Sequence, residues 1–154
     1  MKVEIRTIAE EELVQATDLV WRVFSQFEAP DYPPQGVDTF RAFIEPAALA
    51  KAIWSGEMHL YGYYDGKTLH GVAGTRGHGH LCLLFVEPEH HRQGIAKALV
   101  KELSRLARQH GAEGLTVNSS PFAVEVYHKM GFADTGPQQV SDGITFTPMK
   151  KNLF

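Results

Sequence analysis

His91-Arg92-Gln93-Gly94-Ile95-Ala96 lies between an apolar run and a strongly amphipathic one, and its composition suits the capture of an anion. Where a strand turns into a helix, unpaired backbone N–H groups and the positive end of the helix dipole gather at one point. Gly94 has no side chain and Ala96 only a methyl, so a phosphate can approach the main chain there; Arg92 adds charge. A glycine also punctuates any tight strand-to-helix turn, and the loop by itself fits both uses equally. It is not a Walker A loop, since no Gly-Lys-Ser/Thr follows. No second βαβ unit or acidic ribose-binding residue points to a dinucleotide site.

A second concentration of chemistry precedes the loop. An imidazole titrating near ~6.5 can take a proton from an amine at neutral pH, which makes His80, at the start of the apolar run 81–86, a candidate base. Strand alternation puts His80 and Cys82 on one face, and His78 joins them if the strand reaches back past Gly79. A surface histidine in a Gly-His-Gly-His turn is an equally good reading of His80. Glu87, at the strand's far end, is a weaker competitor. Cys82 has no histidine-activated thiol motif beside it and reads as core packing. His78-x-His80 and His90-His91 offer paired imidazoles, but without carboxylate or thiolate support the expected site holds no metal.

The elements that must position these groups follow from periodicity. Alternation predicts a strand over 2–7, and helical spacing of Leu13, Thr17, Val20, Trp21 and Phe24 predicts a helix over 9–28. Three prolines and a glycine over 30–36 predict a loop. A helix over 38–55, interrupted near Pro46, leads to strands at 57–64 and 68–76 around Asp65-Gly66-Lys67. The run 81–86 is apolar on both faces, as a central strand requires. Ile95, Leu99, Leu103 and Leu106 form the stripe of a helix over 95–110 that Gly111 stops. A short strand at 115–118, a helix over 121–130, and strands at 133–140 and 144–149 complete the chain. This order predicts an α/β (α+β) fold, with a mixed central sheet of six to seven strands and helices on both faces.

Composition narrows the function. The 154 residues, 44% apolar and 21% charged, suit one globular domain over 1–154. A net charge of −3 offers little to a phosphate backbone, so nucleic acid is not an expected partner. The longest apolar run is far too short for a bilayer, and no membrane association is expected. A single cysteine fits a reducing cytoplasm.

Two blocks together say more. The stretch 83–88 with the loop and Ala98-Leu99 resembles the acyl-CoA-binding motif of the GNAT superfamily of N-acetyltransferases, a strand followed by Gln/Arg-x-x-Gly-x-Gly/Ala opening a helix. His91 stands at the Gln/Arg position, while Gly94 and Ala96 match. The stretch 118–132 resembles the family's later motif, an Asn-bearing strand and a short helix ending Tyr-x-Lys/Arg-x-Gly-Phe. The resemblance covers most of 57–149 and implies a GNAT-like fold and an acetyl-CoA-dependent N-acetyltransferase. Its acceptor would be a small amine, attacking directly in a ternary complex without a metal.

The resemblance also implies residue roles. Main-chain groups of Leu84, Phe85 and Val86 would pair with the pantetheine amides. Backbone amides of Gln93, Gly94, Ile95 and Ala96, with His91 and Arg92 beside them, would hold the pyrophosphate. Tyr127, a phenol near ~10, would protonate a thiolate whose thiol is near ~8.5. Asn118 and Ser120 would contact the pantetheine or order Tyr127. The acceptor would enter near Phe24, Phe27, Tyr32 and Tyr61, aromatics that fit the core equally well, and the final strand could pair across a homodimer. The alternative is a CoA-binding sensor or interaction module with the same fold and no turnover.

Overall fold

The computed structural model describes residues 2–91 and 94–154. Its strands are β1 (Val3–Thr7), β2 (Met58–Asp65), β3 (Thr68–Arg76), β4 (His80–Val86), β5 (Gly114–Ser119), β6 (Ala133–Asp134), β7 (Gln139–Ser141) and β8 (Ile144–Asn152). Its α-helices are α1 (Leu13–Phe27), α2 (Pro34–Phe43), α3 (Pro46–Trp54), α4 (Ile95–Gln109) and α5 (Val124–Lys129). The sheet runs β1-β2-β3-β4-β5-β8-β6, with β7 paired to β8, so the expected mixed sheet with helices on both faces is present.

Two apolar clusters sandwich the sheet. On one face Leu19 and Phe24 of α1 and Leu49 of α3 meet Val72, Leu83 and Phe85. On the other, Ile95, Leu99, Val100 and Leu103 of α4 meet Leu115, Val117 and Met149. At roughly 1.5–3 kcal/mol per buried aliphatic side chain, the α4 stripe far outweighs any intrinsic helix propensity. Ala107 rather than Leu106 completes the buried line of that stripe, because Leu106 sits only half-buried at its margin.

Three expectations about elements are corrected. The segment 30–36 is not a loop throughout: a 3-10 turn at Ala29–Asp31 leads directly into α2, whose first residue is Pro34. Proline suits that position because the N–H it lacks would be unpaired there anyway. Gly36 tolerates no side chain, since a Cβ would collide with the Gly143 carbonyl. The strand expected over 133–140 is split into β6 and β7 around Gly136 and Pro137. Finally, the helix expected over 121–130 is a 3-10 turn at Pro121–Ala123 followed by α5, while β8 is bonded to β5 on one side and to β6 and β7 on the other. Among the described residues no helix is long and apolar enough to cross a membrane.

Candidate active site

The site begins with a break in the sheet. Gly74 faces Leu83 but Thr75 faces Leu81, so Cys82 is an extra residue on β4, a bulge that bends the strand. The parallel pairing of β4 with β5 stops at the same place, after His80–Thr116 and Leu81–Val117. Beyond it the strands diverge, and among the described residues the backbone of 82–86 has no neighbouring strand on that side. Its N–H and C=O groups form an open edge on which an extended ligand can add. The cleft between the strands, about 480 Å³, is lined by Glu28, His80, Cys82, Leu84, Phe85, Asn118, Ser120 and Tyr127 among others.

At the end of β4 the chain turns into α4 through Gly94, whose φ of 80° lies in the left-handed region that favours glycine. A Cβ on Gly94 would meet nothing within 4 Å, so the space beside that backbone is open. Among the described residues no side chain caps α4, which leaves its first-turn N–H groups for a ligand or water. Ile95 buries its side chain in the core and can offer only its backbone N–H, as does half-buried Ala96. His91 uses its side chain within the protein. Its Nε2–H donates to the Val86 carbonyl at 2.7 Å, and its ring tilts against Phe27 at 5.0 Å, so the side chain ties the turn to β4 and α1. Arg92 and Gln93 lie outside the described residues.

Tyr127 is fixed by the end of its own helix. Gly131, with φ of 95°, lets the Phe132 N–H reach the Tyr127 carbonyl at 3.0 Å and its own N–H reach that of His128 at 3.1 Å. These two bonds are the Schellman stop of α5. Its usual apolar contact is the Phe132 ring packed edge-on against Tyr127, centroids 5.2 Å apart. The Tyr-x-Lys-x-Gly-Phe motif is therefore a device that pins the tyrosine ring. Burial pushes the phenol well above its usual range, helped by the charges of Glu28 and Cys82, so it is a proton donor at neutral pH.

Glu28 is a cleft residue that sequence reasoning did not single out. It ends α1 beside the negative pole of that helix and lines the cleft. Burial pushes its carboxyl up to about 7, against the pull of the nearby Ser120 hydroxyl and with a further push from Asp31. The Ser120 hydroxyl is buried, and no acceptor meets it in hydrogen-bond geometry, so Glu28 influences it without a formed bond. Asn118 is exposed on the cleft wall at the end of β5. No local spacing marks Glu28, because only the packing of α1 over the splayed strands brings it to Tyr127.

His80 also lines the cleft. The Thr116 hydroxyl donates to the Gly79 carbonyl at 3.3 Å and accepts from His80 Nδ1 at 2.8 Å, which leaves Nε2 with its lone pair. Burial, with help from the charge of Arg76, lowers its pKa, so the ring is neutral near pH 7. Glu87 is taken by Arg22 in a two-pronged ion pair of 2.7 and 3.0 Å and is not available as a base. His78 does not join His80: it stacks between His59 and His110, centroids 4.5 and 3.6 Å away. Burial raises the Cys82 thiol to about 12, so it is no nucleophile at neutral pH. Among the described residues no cluster of three or more His, Cys, Asp or Glu side chains is arranged to hold a metal.

The family model of the acetyltransferase (GNAT) domain matches residues 28–153. The chain belongs to the GNAT acetyltransferases. Human N-acetyltransferase 8 is 43% identical over 56 residues, which are 34% of this chain and only 25% of that protein's length. A GCN5-related N-acetyltransferase from Rhodopseudomonas palustris superposes with a TM-score of 0.84 at 24% identity, covering 99% of this chain and 96% of that one. PaiA N-acetyltransferase from Thermoplasma acidophilum, solved with coenzyme A, superposes with a TM-score of 0.79 at 20% identity over 99% of both chains. At these identities the two structures establish the GNAT fold, while the roles of side chains rest on the geometry above.

Proposed function

We propose that this GNAT domain is an acetyl-CoA-dependent N-acetyltransferase acting on a small amine in a ternary complex, working in the cytoplasm as one domain. The observation that carries the reading is convergence. The open β4 edge and the pinned Tyr127 border one cleft, with a carboxyl of raised pKa beside them, and the same strand leads on to the bare turn at Gly94. The main chain of 84–86 suits the pantetheine amides and the first N–H groups of α4 suit the pyrophosphate.

Glu28 replaces His80 as the favoured base. The charge of Glu28 acts on Tyr127, which supports Glu28 as the base beside the acid. His80 stands where β4 still pairs with β5, in register with Arg76, whose charge opposes an incoming proton. In the proposed step Glu28 takes a proton from the ammonium, the amine nitrogen attacks the thioester carbonyl, and the C–S bond breaks. Tyr127 protonates the departing thiolate, and the proton the nitrogen sheds on becoming an amide restores the phenol. Because the Glu28 charge is one cause of the raised Tyr127 pKa, neutralising Glu28 makes the phenol a better acid. Base and acid are thus coupled in the useful order.

The experiment is release of free CoA from acetyl-CoA across a panel of amines, with CoA affinity measured in parallel. Amine-dependent release supports the enzyme. Tight CoA binding with no release from any amine supports a sensor or interaction module instead.

A further inference from the structure

The wall facing the open β4 edge is aromatic. Half-buried Tyr32 and Phe40 line it over the buried Phe24, whose ring stacks on Phe40 with centroids 4.0 Å apart and lies 5.7 Å from Tyr32. A ring-sized apolar body suits such a wall. The charges on it are divided. Glu28 lies toward Tyr127, and Asp142 lies on the turn between β7 and β8. Arg76 lies toward the closed end of the splay, opposite His80, with its guanidinium over the Phe43 ring at 5.7 Å. Arg76 makes no ion pair and no hydrogen bond among the described residues, Asp142 included. A guanidinium held by a ring and lacking an acid partner presents its planar fork to a carboxylate. Cys82 lies between the two poles, since Arg76 acts on its thiol and its thiol acts on Tyr127.

Resting on the acetyl-transfer reading above, we propose that the acceptor is an amine carrying a carboxylate on an apolar, ring-sized body, with Arg76 gripping the carboxylate while the amine faces Glu28. The acidic residues alone would suit a polyamine; Arg76 on the same wall opposes one and rewards a zwitterion.

The test is CoA release from acetyl-CoA with phenylalanine, phenylalanine amide, phenethylamine, the dipeptide Phe-Gly and spermidine, using wild type, Arg76→Gln and Arg76→Lys. In wild type, kcat/KM for phenylalanine exceeds that for phenethylamine by roughly tenfold or more, the difference lying in KM. Arg76→Gln brings that ratio close to one, and Arg76→Lys restores part of it as a point charge. Phe-Gly matching phenylalanine assigns the site to peptide N-termini; phenylalanine ahead of Phe-Gly assigns it to free amino acids. Phenylalanine binding to the CoA-saturated protein, by calorimetry, weakens about tenfold in Arg76→Gln and gives a readout independent of turnover. Equal rates on phenylalanine, its amide and phenethylamine, a preference for spermidine, or an unchanged ratio in Arg76→Gln overturns the proposal while acetyl transfer stands. CoA binding with no release from any of the five amines overturns acetyl transfer, and the proposal falls with it.

Discussion

The β4–α4 wall of the cleft does its work with main-chain groups, whereas the wall made by α1, α2 and the β7–β8 turn works through side chains. On the first wall the useful atoms are the open edge of 82–86 and the N–H groups after Gly94. Side chains there mostly point into the core, as with Ile95 and Phe85. On the second wall Glu28 and Thr39 face the cleft from helices. A main-chain site constrains the backbone, so it needs a bulge, a positive φ and an uncapped helix in a fixed order. A side-chain site needs only that helices dock at the right angle, and its residues can change while the docking persists. The donor's invariant chemistry suits the first wall and a variable acceptor suits the second.

The sharpest way to break this comparison is on the acceptor wall. Glu28→Gln is expected to lower kcat/KM by roughly 10²–10³-fold, as for loss of a general base, while CoA affinity stays as in wild type. In wild type the rate rises with pH through about 7, since Glu28 must be deprotonated to accept the proton; that limb disappears in the variant. A pH–rate profile of both proteins checks it.

On the donor wall the expected signature is reversed. Gly94→Val forces a β-branched residue to a φ of 80° and places bulk in the space beside the turn. CoA affinity should fall roughly 10–100-fold in calorimetry, with the pH limb of Glu28 intact. Gly131→Ala tests the pin between the walls. Its φ of 95° costs an alanine about 1–2 kcal/mol, although a Cβ there meets only ordinary contacts at 3.6 Å. Denaturation should show that loss, and kcat should fall several-fold as the Tyr127 ring loosens.

A last prediction concerns the pH dependence of stability. Glu28 holds its proton more tightly in the folded chain, up to about 7, than in the unfolded chain near 4.5. Folding therefore gains most below about 4.5 and loses that gain as pH rises through about 7. Glu28→Gln should accordingly be the more stable protein at pH 9, by about 2–3 kcal/mol, with the difference shrinking toward pH 4. Urea midpoints at the two pH values measure it.

The donor wall was readable because its devices are local. Gly94 opening α4, and Gly131-Phe132 closing α5, each fix a backbone shape within a few residues, so a pattern of residue types carries them. The β4 bulge was not readable: alternation placed His80 and Cys82 on one face by counting twos, and nothing in 80–86 announces the extra residue. The start of α2 was misread because three prolines suggest irregular chain, although Pro34 only needed to be first in a helix. The ring of His91 closes onto the Val86 carbonyl, a contact that its place at the Gln/Arg position of the motif did not announce. Glu28 was invisible for the opposite reason. Its proposed role depends on lying near Tyr127 and Ser120, distant in the chain, and on the burial that goes with it.

Single-turnover acetyl transfer by Tyr127→Phe, followed alongside its CoA dissociation constant, addresses the central claim most directly. The expected result is a transfer rate lower by roughly 10²-fold or more with a dissociation constant within about twofold of wild type. A wild-type transfer rate in that variant would contradict the account, since the phenol pinned by Gly131 and Phe132 would then have no part in the chemistry.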